Sequence, residues 1–547
     1  MHSDAALQAD LFAPRDLPEP FTGWFASRGW EPRRHQLELL QYAQAGRSAL
    51  LIAPTGGGKT LAGFLPALLE LAAEKAQPKP PVRRGPHTLY ISPLKALAVD
   101  VARNVEQPVS DMSLPIRVET RTGDTPQSKR TRQKHNSPDI LMTTPEQISL
   151  LLANADAEHF FGGLRFVVLD ELHALAPSKR GALLSLCLAR LLKHAPGVVR
   201  IGLSATVAEP DRLRAWLMPQ SDPDRPALAE YVEGDAGAEP LISILRSEER
   251  IPWSGHTTRY AMNDVYGVIR RHRMVLIFVN TRSQAEMTFQ GLWSINDDNL
   301  PIALHHGSLD KGQRRKVEAA MAAGSLRAVV CTSTLDLGID WGDVDLVITL
   351  GAPKGASRLM QRIGRANHRY DEPSEALLVP SNRFEVLECE AAREAAMGNH
   401  QDTSAPEEMK LDVLAQHILG MGCADPFSED DLFAEITSAY AYRALSRQQF
   451  ERALQFVATG GYALNTYDRY AKLRKGSDGL WRLAHPRFGQ QYRLNVGTIV
   501  EAAMLKVRLV KRGRRGPLAR GGKVLGEIEE AFIDQLVPGD TFLFAGQ

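Results

Sequence analysis

The sequence predicts an α/β protein in which two successive domains each contain a doubly wound parallel β-sheet. Short runs that are apolar throughout, without polar alternation, are typical of parallel strands covered on both faces. Amphipathic helical stretches separate these runs, and this alternation indicates repeated βαβ units. The pattern occurs twice, before and after a polar, proline-rich stretch at residues 219–240. We therefore expect two sheets, one in each domain.

The predicted domains follow in chain order. Residues 1–20 are expected to form a flexible N-terminal arm, because they lack apolar periodicity. The first α/β domain is predicted at residues 21–225 and the second at residues 226–400. Strands of the first domain are predicted at 48–54, 87–93, 139–145, 165–171 and 198–206. Strands of the second domain are predicted at 274–280, 302–307, 327–333 and 344–351.

The pattern changes after the second domain. Residues 401–487 predict two or three helices and a small hairpin, an order that suits a winged-helix domain. Residues 488–547 are strand-rich, and the sequence ends directly after an apolar, strand-like run. We therefore expect this segment to be the start of a strand-rich C-terminal domain that continues beyond residue 547.

Length and composition indicate a protein of several domains and argue against disulfide-rich and membrane proteins. A chain of 547 residues is long enough for about three or four domains. Its 65 basic and 64 acidic residues balance, so support for nucleic-acid binding must come from local clusters. The four cysteines form no CxxC pair, which argues against a zinc site or a disulfide framework. We see neither a signal peptide nor an apolar run of about 18 residues, and expect a soluble cytoplasmic protein without membrane contact.

The segment 53–60, APTGGGKT, matches a Walker A phosphate-binding loop with alanine at its first position. It lies between a predicted strand and a predicted helix, so backbone N–H groups and the helix N-terminus can surround a phosphate. Lys59 would reach the β- and γ-phosphates, and the Thr60 hydroxyl would hold Mg²⁺. The alternative is a glycine-rich turn without a ligand. The other loop residues predicted to bind nucleotide are Thr55, Gly56, Gly57 and Gly58.

Two acidic residues follow a later predicted strand of the same domain. Asp170 would hold Mg²⁺, as a Walker B aspartate does, and Glu171 is placed to activate the attacking water. His173 could link the nucleotide site to neighbouring motifs. Acidic residues that end a buried strand are common, so this assignment depends on the phosphate loop upstream.

The segment 361–369, QRIGRANHR, belongs to the second predicted domain. Phosphoryl transfer needs cationic neutralisation of the γ-phosphate, and an arginine finger supplies it. Arg362 and Arg365 are the candidates. The alternative is a solvated basic helix end, the usual fate of a charge run.

With these three motifs in order, the chain resembles superfamily 2 helicases of the DExH class. It is similar to the Lhr-type family, and in particular to its ligase-associated DNA helicase branch. The resemblance is densest at residues 20–400, and the region from 408 to the end is similar to the winged helix and following domain of that branch. Further stretches that match motifs in order are Gln36, 92–97, 121–124, 143–146, 204–206, 278–282, 305–308 and 332–340.

The resemblance implies two RecA-like lobes and a set of binding residues. Nucleotide contacts carried over from the family motifs are Gln36, Gly338, Asp340 and Gln361. Nucleic-acid contacts carried over are Asn280, Thr281, His306 and Thr332. His368 stands where many superfamily 2 proteins have arginine, so Arg362, Arg365 and Arg369 all remain candidates for the finger.

Other residues suit a nucleic-acid backbone by their chemistry. The hydroxyls of Ser92, Thr122, Thr144 and Thr332 and the ammonium of Lys95 can bind phosphate oxygens without reading sequence. The alternative for each hydroxyl is an ordinary cap or turn residue. A basic cluster suits either a phosphate-binding loop or a solvated hairpin; it comprises Lys506, Arg508, Lys511, Arg512, Arg514, Arg515, Arg520 and Lys523. Trp481 and Tyr492 suit either base stacking or a small core.

The function implied by the resemblance is an ATP-hydrolysing DNA helicase with ATP and Mg²⁺ as cofactors. It would translocate on single-stranded DNA, 3′ to 5′, and unwind duplex DNA or an RNA–DNA hybrid. The branch implies DNA repair beside a DNA ligase and a repair nuclease. Two alternatives remain open: an ATPase that remodels RNA or ribonucleoprotein, and an ATP-gated nucleic-acid clamp. A simple P-loop kinase would need neither the second domain nor the 204–206 motif.

Overall fold

The computed structural model of the chain comprises two compact units, each built on a parallel sheet. The first unit contains mainly residues before Pro54, Gly57–Asp235 and Thr403–Thr498, and the second mainly Ala236–Asp402 and Ile499–Gln547. The structure describes residues 17–54, 56–79, 85–235, 237–255, 257–336, 344–366, 373–398, 400–406, 408–461, 467, 470–497, 504–509, 523–529, 541 and 543–544.

Seven strands of the first unit form one sheet in which every pair is parallel. They are β1 (Ala49–Ile52), β2 (Thr88–Ile91), β3 (Val118–Arg121), β4 (Ile140–Thr143), β5 (Phe166–Leu169), β6 (Val199–Ser204) and β7 (Glu230–Glu233). Their spatial order is β3-β4-β2-β5-β6-β1-β7. Because all strands run the same way, all of them end at one edge of the sheet.

Helices cover both faces of this sheet. They are α1 (Phe21–Ser27), α2 (Arg34–Gln44), α3 (Lys59–Lys75), α4 (Lys95–Asp111), α5 (Gln127–His135), α6 (Pro145–Leu152), α7 (Ala157–Phe161), α8 (Leu172–Leu175), α9 (Lys179–His194) and α10 (Pro210–Leu217). Leu50 and Leu51, adjacent in β1, are both buried, but they belong to separate hydrophobic cores. This two-sided burial is the reason that the run 48–54 is apolar throughout.

The sequence predicted five of these seven strands, and the structure confirms them. It adds β3 and β7, the two edge strands, which are only partly buried and contain glutamates. Their polar composition gave no strand signal. Since β7 pairs with β1, the first lobe extends past residue 225, where the sequence analysis ended it.

The second unit contains a six-stranded parallel sheet. Its strands are β8 (Leu241–Ile244), β9 (Val275–Val279), β10 (Ile302–His305), β11 (Ala328–Cys331), β12 (Leu346–Leu350) and β13 (Glu375–Val379), in the order β10-β11-β9-β12-β13-β8. Its helices are α11 (Met262–Arg271), α12 (Arg282–Ser294), α13 (Lys311–Ala322), α14 (Ala356–Ile363) and α15 (Arg383–Met397). The four predicted strands are confirmed; β8, an exposed edge strand, and β13 were not predicted.

The winged-helix segment belongs to the first unit. It contains α16 (Leu411–Ala424), α17 (Glu429–Thr437), α18 (Arg447–Thr459), the hairpin strands β14 (Leu473–Lys475) and β15 (Trp481–Leu483), and α19 (Pro486–Leu494). Helices followed by a small hairpin were predicted, and the structure confirms this order. Helix α19 crosses residue 487, where the sequence analysis ended the domain.

One continuous hydrophobic core joins the winged helix to the first lobe. Arg190 of α9 pairs with Glu435 of α17 at 2.9 Å, and both side chains are buried. The Tyr492 hydroxyl of α19 lies 3.0 Å from the Ser149 hydroxyl of α6. Tyr492 is therefore a core residue, and half-buried Trp481 donates its indole N–H to Glu429 at 2.7 Å.

The C-terminal strands belong to the second unit. Strands β16 (Met504–Leu509) and β17 (Lys523–Glu529) pair in antiparallel fashion. The Glu527 N–H donates to the Ser308 carbonyl at 2.9 Å, and the Asp310 N–H donates to the Leu525 carbonyl at 3.1 Å. These two bonds attach β17 to the turn that follows β10. The predicted strand-rich character is thus confirmed for 504–509 and 523–529, whereas the run near residues 541–546 lies largely outside the described residues.

Two further expectations concern compartment and cysteines. Within the described part of the chain, no helix combines the length and apolar character needed to cross a bilayer. All four cysteines are free, and Cys187, Cys331 and Cys389 are buried.

Gly526→Ala should release β17 from the second lobe. A Cβ at residue 526 would lie 1.9 Å from the Ser308 carbonyl oxygen, so backbone must move. We expect a cost of about 1–3 kcal/mol to the docked state, read as faster hydrogen exchange at the amides of Asp310 and Glu527. Gly267→Ala, whose nearest neighbour would be 3.8 Å away, is the control. Unchanged exchange at both amides would refute the docking contact.

Candidate nucleotide and nucleic-acid site

The predicted nucleotide residues of the first lobe gather at the edge where the parallel strands end. The phosphate loop follows β1, Asp170 follows β5, and Ser204 ends β6. These three strands are adjacent in the order β5-β6-β1, so the topology alone brings the motifs together. An edge of this kind is where open α/β sheets bind ligands.

The phosphate loop has the backbone form that its glycines permit. Gly56 and Gly58 have φ angles of 77° and 74°, in the left-handed region. A Cβ on Gly58 would also lie 2.8 Å from the Gln36 amide nitrogen. Lys59 opens α3, and its ammonium donates to the Ala53 carbonyl at 2.7 Å, across the loop. Thr55 lies outside the described residues.

Two side chains of α2 support this loop. The Gln36 amide donates to the Gly58 carbonyl at 3.3 Å, and its oxygen accepts from the Arg33 N–H at 3.0 Å. The buried His35 ring has Nε2 2.9 Å from the Gly57 carbonyl, and burial lowers its pKa. Gln36 was predicted from the family motif. His35 was missed, and its adjacency to Gln36 was the available signal.

The carboxyl of Asp170, the first residue of the acidic pair, has a strongly shifted pKa. Burial raises the pKa of Asp170 to about 6, and the adjacent Glu171 carboxylate adds to the rise. The Tyr90 hydroxyl donates to Asp170 and opposes this shift, as does the charge of Lys59. Glu171 adopts a left-handed backbone with φ of 50°. Non-glycine residues in this region are strained, and such strain is concentrated at functional sites.

These residues fit a magnesium ion bound with a nucleotide. The Glu171 carboxylate raises the pKa of buried Asp170, and a divalent cation would stabilise the negative charge of this pair. Asp170 and the Thr60 hydroxyl at the start of α3 are the oxygen donors that would hold it. When bound, Mg²⁺ supplies charge neutralisation for the phosphates.

His173 links the acidic pair to the end of β6. Its Nδ1 accepts the Ala205 N–H at 3.2 Å and lies 3.2 Å from the Ser204 hydroxyl. The ring proton is therefore on Nε2, which lies 3.3 Å from a Glu171 carboxylate oxygen. His173 thus contacts both the 204–206 motif and Glu171, the residue predicted to activate water. It was expected to link the nucleotide site to neighbouring motifs.

The residues of the first lobe that were predicted to contact a nucleic-acid backbone lie on the other half of the same sheet edge. Ser92, Thr122 and Thr144 follow β2, β3 and β4, which are adjacent in the sheet. Half-exposed Lys95 opens α4, and its ammonium lies 3.6 Å from Asp124. The hydroxyls are buried: Ser92 bonds to Leu94, and Thr122 accepts the Asp124 N–H at 3.4 Å. Local turn contacts are thus observed for Ser92 and Thr122, and phosphate contact by all of these residues stays a prediction.

Arg180 of α9 connects the segments that follow β2 and β4. The sequence analysis did not predict this residue. Its guanidinium bonds Glu146 at 2.9 Å and donates to the Pro93 carbonyl. It thereby joins the loops that follow β2 and β4. A single arginine at a helix start carries no sequence signal for this role.

In the second lobe, Asn280 and Thr281 form the turn that follows β9. The Thr281 hydroxyl accepts the Gln284 N–H at 3.2 Å, and Gln284 accepts from the N–H groups of both residues at 3.1 Å. This capping box starts α12. The Asn280 amide donates to the Ala352 carbonyl at 3.1 Å, so both side chains have structural partners.

His306 and Thr332 follow β10 and β11. His306 is almost fully buried, and its Nε2 lies 2.9 Å from the equally buried Glu286 carboxylate. The ring of Phe544, in the C-terminal segment, packs against His306 with centroids 6.2 Å apart. The His306 side chain is thus held inside the unit, and its role in strand binding remains a prediction. Thr332 is also buried.

The predicted finger arginines lie on and after α14. Arg362 is fully buried, with Nε 3.1 Å from Asp336 and its guanidinium 4.9 Å from the Phe278 ring centre. Burial lowers its pKa, and Asp336 opposes that shift. Arg365 is also buried, and its Nε donates to the Gln361 carbonyl at 3.3 Å. Asp336 was missed, although it lies within the 332–340 motif.

Several predicted residues lie outside the described residues. They are Gly338, Asp340, His368, Arg369 and, in the basic cluster, Lys511, Arg512, Arg514, Arg515 and Arg520. The cluster members on the described strands, Lys506, Arg508 and Lys523, are exposed.

Three protein families match consecutive parts of the chain. The DEAD/DEAH box helicase family matches residues 33–213. The helicase conserved C-terminal domain matches residues 261–370. The winged helix domain of the Large helicase-related protein matches residues 395–547. The order of the matches follows the order of the two lobes and the winged helix.

Curated relatives carry the same similarity through most of the chain. An ATP-dependent helicase Lhr-Core of Methanothermobacter thermautotrophicus is 36% identical over 92% of this chain and 58% of its own length. A Lhr helicase/probable uracil glycosylase of Mycolicibacterium smegmatis is 32% identical over 95% of this chain and 36% of its own. The chain therefore spans less than two thirds of the relatives that it matches.

Solved structures agree with these matches. The structure of Mycobacterium smegmatis helicase Lhr bound to ssDNA and AMP-PNP has a TM-score of 0.76 and 33% identity, covering 89% of this chain and 63% of that one. The DUF1998 helicase MrfA bound to DNA has a TM-score of 0.73 at 20% identity over 95% of this chain, and it supports the fold alone.

His173→Ala should separate Glu171 from the 204–206 motif, the stretch that the family resemblance assigns to coupling ATP turnover with nucleic acid. Without the imidazole, Ala205 and Glu171 lose their shared partner, so nucleic acid should stimulate ATP turnover less than in the parent chain. His159→Ala, a histidine on α7 away from the edge, is the control. Steady-state ATPase rates with and without single-stranded DNA measure the effect, and undiminished stimulation in His173→Ala would disprove the link.

Proposed function

Because this chain belongs to the Lhr-type superfamily 2 helicases, we propose that it is an ATP-driven motor that translocates on single-stranded DNA and separates duplexes. The observation that carries this proposal is the common edge of the first sheet. One half of that edge holds the phosphate loop and the acidic pair, and the other half holds the three loops suited to a phosphate backbone. His173 joins the acidic pair to Ser204 at the end of β6, and the Tyr90 hydroxyl of β2 donates to Asp170, so one contact crosses between the two halves.

The chemistry assigned to each residue follows from its position. Lys59 leaves the Ala53 carbonyl to neutralise the β- and γ-phosphates. Glu171, beside the Mg²⁺-binding Asp170, orients and deprotonates the attacking water. Burial and the adjacent Glu171 raise the pKa of Asp170, and a bound Mg²⁺ would favour its charged form.

The second lobe supplies the finger in this proposal. Arg362 bonds Asp336 through Nε and packs on the face of Phe278, which holds the loop after β11 in place. Its two terminal nitrogens are buried without a hydrogen-bond partner among the described residues, so Arg362 stays a second candidate for the phosphate. We assign contact with the γ-phosphate to Arg365. Loss of that phosphate on hydrolysis would remove the charge that Arg365 binds, and the second lobe would then change its grip on the strand.

The two units divide the accessory domains between the lobes. The winged helix shares a core with the first lobe, whereas β16 and β17 attach to the second. Any motion of one lobe against the other would therefore also move the winged helix against the C-terminal strands. We propose that these accessory elements hold the strand and the duplex during each step.

The finer assignments rest on the ligase-associated branch. They are 3′-to-5′ polarity, unwinding of RNA–DNA hybrids as well as duplex DNA, and DNA repair beside a DNA ligase and a repair nuclease. The Lhr structure bound to ssDNA and AMP-PNP supports the choice of single-stranded DNA and of ATP for this chain.

Glu171→Gln should bind ATP but lose turnover by roughly a hundredfold or more, the contribution expected of a general base. Lys59→Ala should instead weaken nucleotide binding, because the phosphates lose a point charge. Nucleotide affinity and steady-state ATPase rate distinguish the two variants. Glu158→Gln, on α7, is the matched control. Retained steady-state turnover in Glu171→Gln would remove this residue from its role.

Single-stranded DNA should stimulate ATP turnover more than single-stranded RNA or blunt duplex does, because the motor tracks one DNA strand. The comparison uses equal nucleotide concentrations and is followed by a strand-displacement assay on a duplex with a 3′ single-stranded tail. Stronger stimulation by RNA would favour the RNA-remodelling alternative. Turnover without displacement or translocation would favour the ATP-gated clamp.

A further inference from the structure

A cavity of about 530 Å³ lies in the second unit, beside the ends of two parallel strands. Its floor contains Val279 at the end of β9 and Leu350 at the end of β12, and both are buried. Helix α12 and the start of α11 contribute the walls. This volume falls within the range of about 300–1,000 Å³ that is typical of small-ligand pockets.

The lining changes from apolar to polar toward the solvent. Met262 and Met287 are partly buried wall residues, and a thioether makes favourable contacts with aromatic rings. Asn263 and Gln290 are exposed and offer amide donors and acceptors. Among the described lining residues there is no carboxylate, and Arg259 carries the one charge. The cavity therefore suits a flat group with apolar faces, hydrogen-bonding edges and a single nearby negative charge.

A nucleobase within a nucleic-acid strand has these properties. Its faces are apolar, its edges pair well with asparagine and glutamine amides, and its phosphodiester carries one negative charge. A free nucleoside triphosphate would bring several negative charges to a site with one arginine. Unpaired bases of a single strand are also free to leave the stack and enter a protein pocket.

The cavity shares its elements with the proposed strand contacts. Val279 is followed directly by Asn280 and Thr281, the turn assigned to the nucleic-acid backbone. The same turn starts α12, whose N-terminus carries a partial positive charge suited to a phosphate. Phosphate contact at the start of α12 and base contact along its side would therefore use one rigid helix.

On these grounds we propose that this cavity receives one base of the bound single strand, so that the second lobe grips a base as well as the backbone. The inference rests on the proposed function, and it adds a base-binding subsite to it. Such a subsite would hold the strand at a fixed register in each cycle without reading its sequence strictly, because every base has an apolar face.

Gly291→Met tests the subsite. Gly291 lines the cavity, and a Cβ there would meet Met262 no closer than 3.6 Å, so a longer side chain can extend into the space. The control is Gly267→Met on α11, which does not line the cavity and whose Cβ would be 3.8 Å from its nearest neighbour. Melting temperatures establish that both variants fold.

The measurement is the affinity for single-stranded DNA in the presence of AMP-PNP. A series of oligonucleotides is compared, each with one abasic residue at a different position. The parent chain and Gly267→Met should bind roughly tenfold more weakly when the abasic residue occupies one position, as expected for loss of a stacked base. Gly291→Met should bind the intact oligonucleotide more weakly than the parent chain does. Its affinity should not depend on where the abasic residue lies. In the parent chain, 2-aminopurine at the position where an abasic residue weakens binding should change its emission on binding more than at neighbouring positions, and this needs no variant.

Each contrary result has a distinct meaning. Equal affinities across the abasic series in the parent chain, or a retained position effect in Gly291→Met, would overturn the subsite. Binding of free dAMP to the parent chain but not to Gly291→Met, together with a flat abasic series, would reassign the cavity to a free nucleotide and overturn the proposal. Absence of binding to the intact strand would remove the proposed function and this inference with it.

Discussion

The parallel direction of the first sheet is the constraint on which the rest of the molecule depends. Because every strand ends at one edge, loops far apart in sequence meet there without any further folding. Strands β1, β5 and β6 bring the phosphate loop, the acidic pair and Ser204 together, and β2, β3 and β4 bring the loops suited to phosphate contact. His173 then lies against both Glu171 and the end of β6, and the Tyr90 hydroxyl of β2 donates to Asp170. The proposed motor is thus a consequence of sheet topology combined with short polar contacts.

A second constraint is the way in which the accessory segments attach to the lobes. The winged helix lies on the core of the first lobe and adds buried contacts such as Arg190 with Glu435. Strand β17 instead is hydrogen-bonded to the turn after β10 in the second lobe. Each lobe therefore carries its own accessory element, attached through contacts within the same compact unit.

The sequence predicted the parts of this architecture that depend on composition and short motifs. Uniformly apolar runs identified the buried strands, and the glycines and Lys59 identified the phosphate loop with its strand and helix. Edge strands such as Glu230–Glu233 escaped because a half-buried strand needs no apolar run. His35 and Arg180 escaped because their partners are backbone carbonyls or a carboxylate brought close by the fold alone. Residues such as Ser92 and His306 were predicted to contact nucleic acid. The structure shows that they also have structural partners within the protein. Sequence pattern cannot separate these two roles, because the same hydroxyl or imidazole serves both.

In the proposed motor, the two halves of the first sheet's edge bind their ligands cooperatively. The most direct test of this cooperativity is the affinity of the intact chain for a single-stranded oligonucleotide with and without AMP-PNP, together with the affinity for AMP-PNP with and without that oligonucleotide. Coupled sites must strengthen or weaken each other by the same factor. We predict that AMP-PNP tightens strand binding and that the strand tightens AMP-PNP binding equally. Two affinities that do not depend on each other would contradict the account.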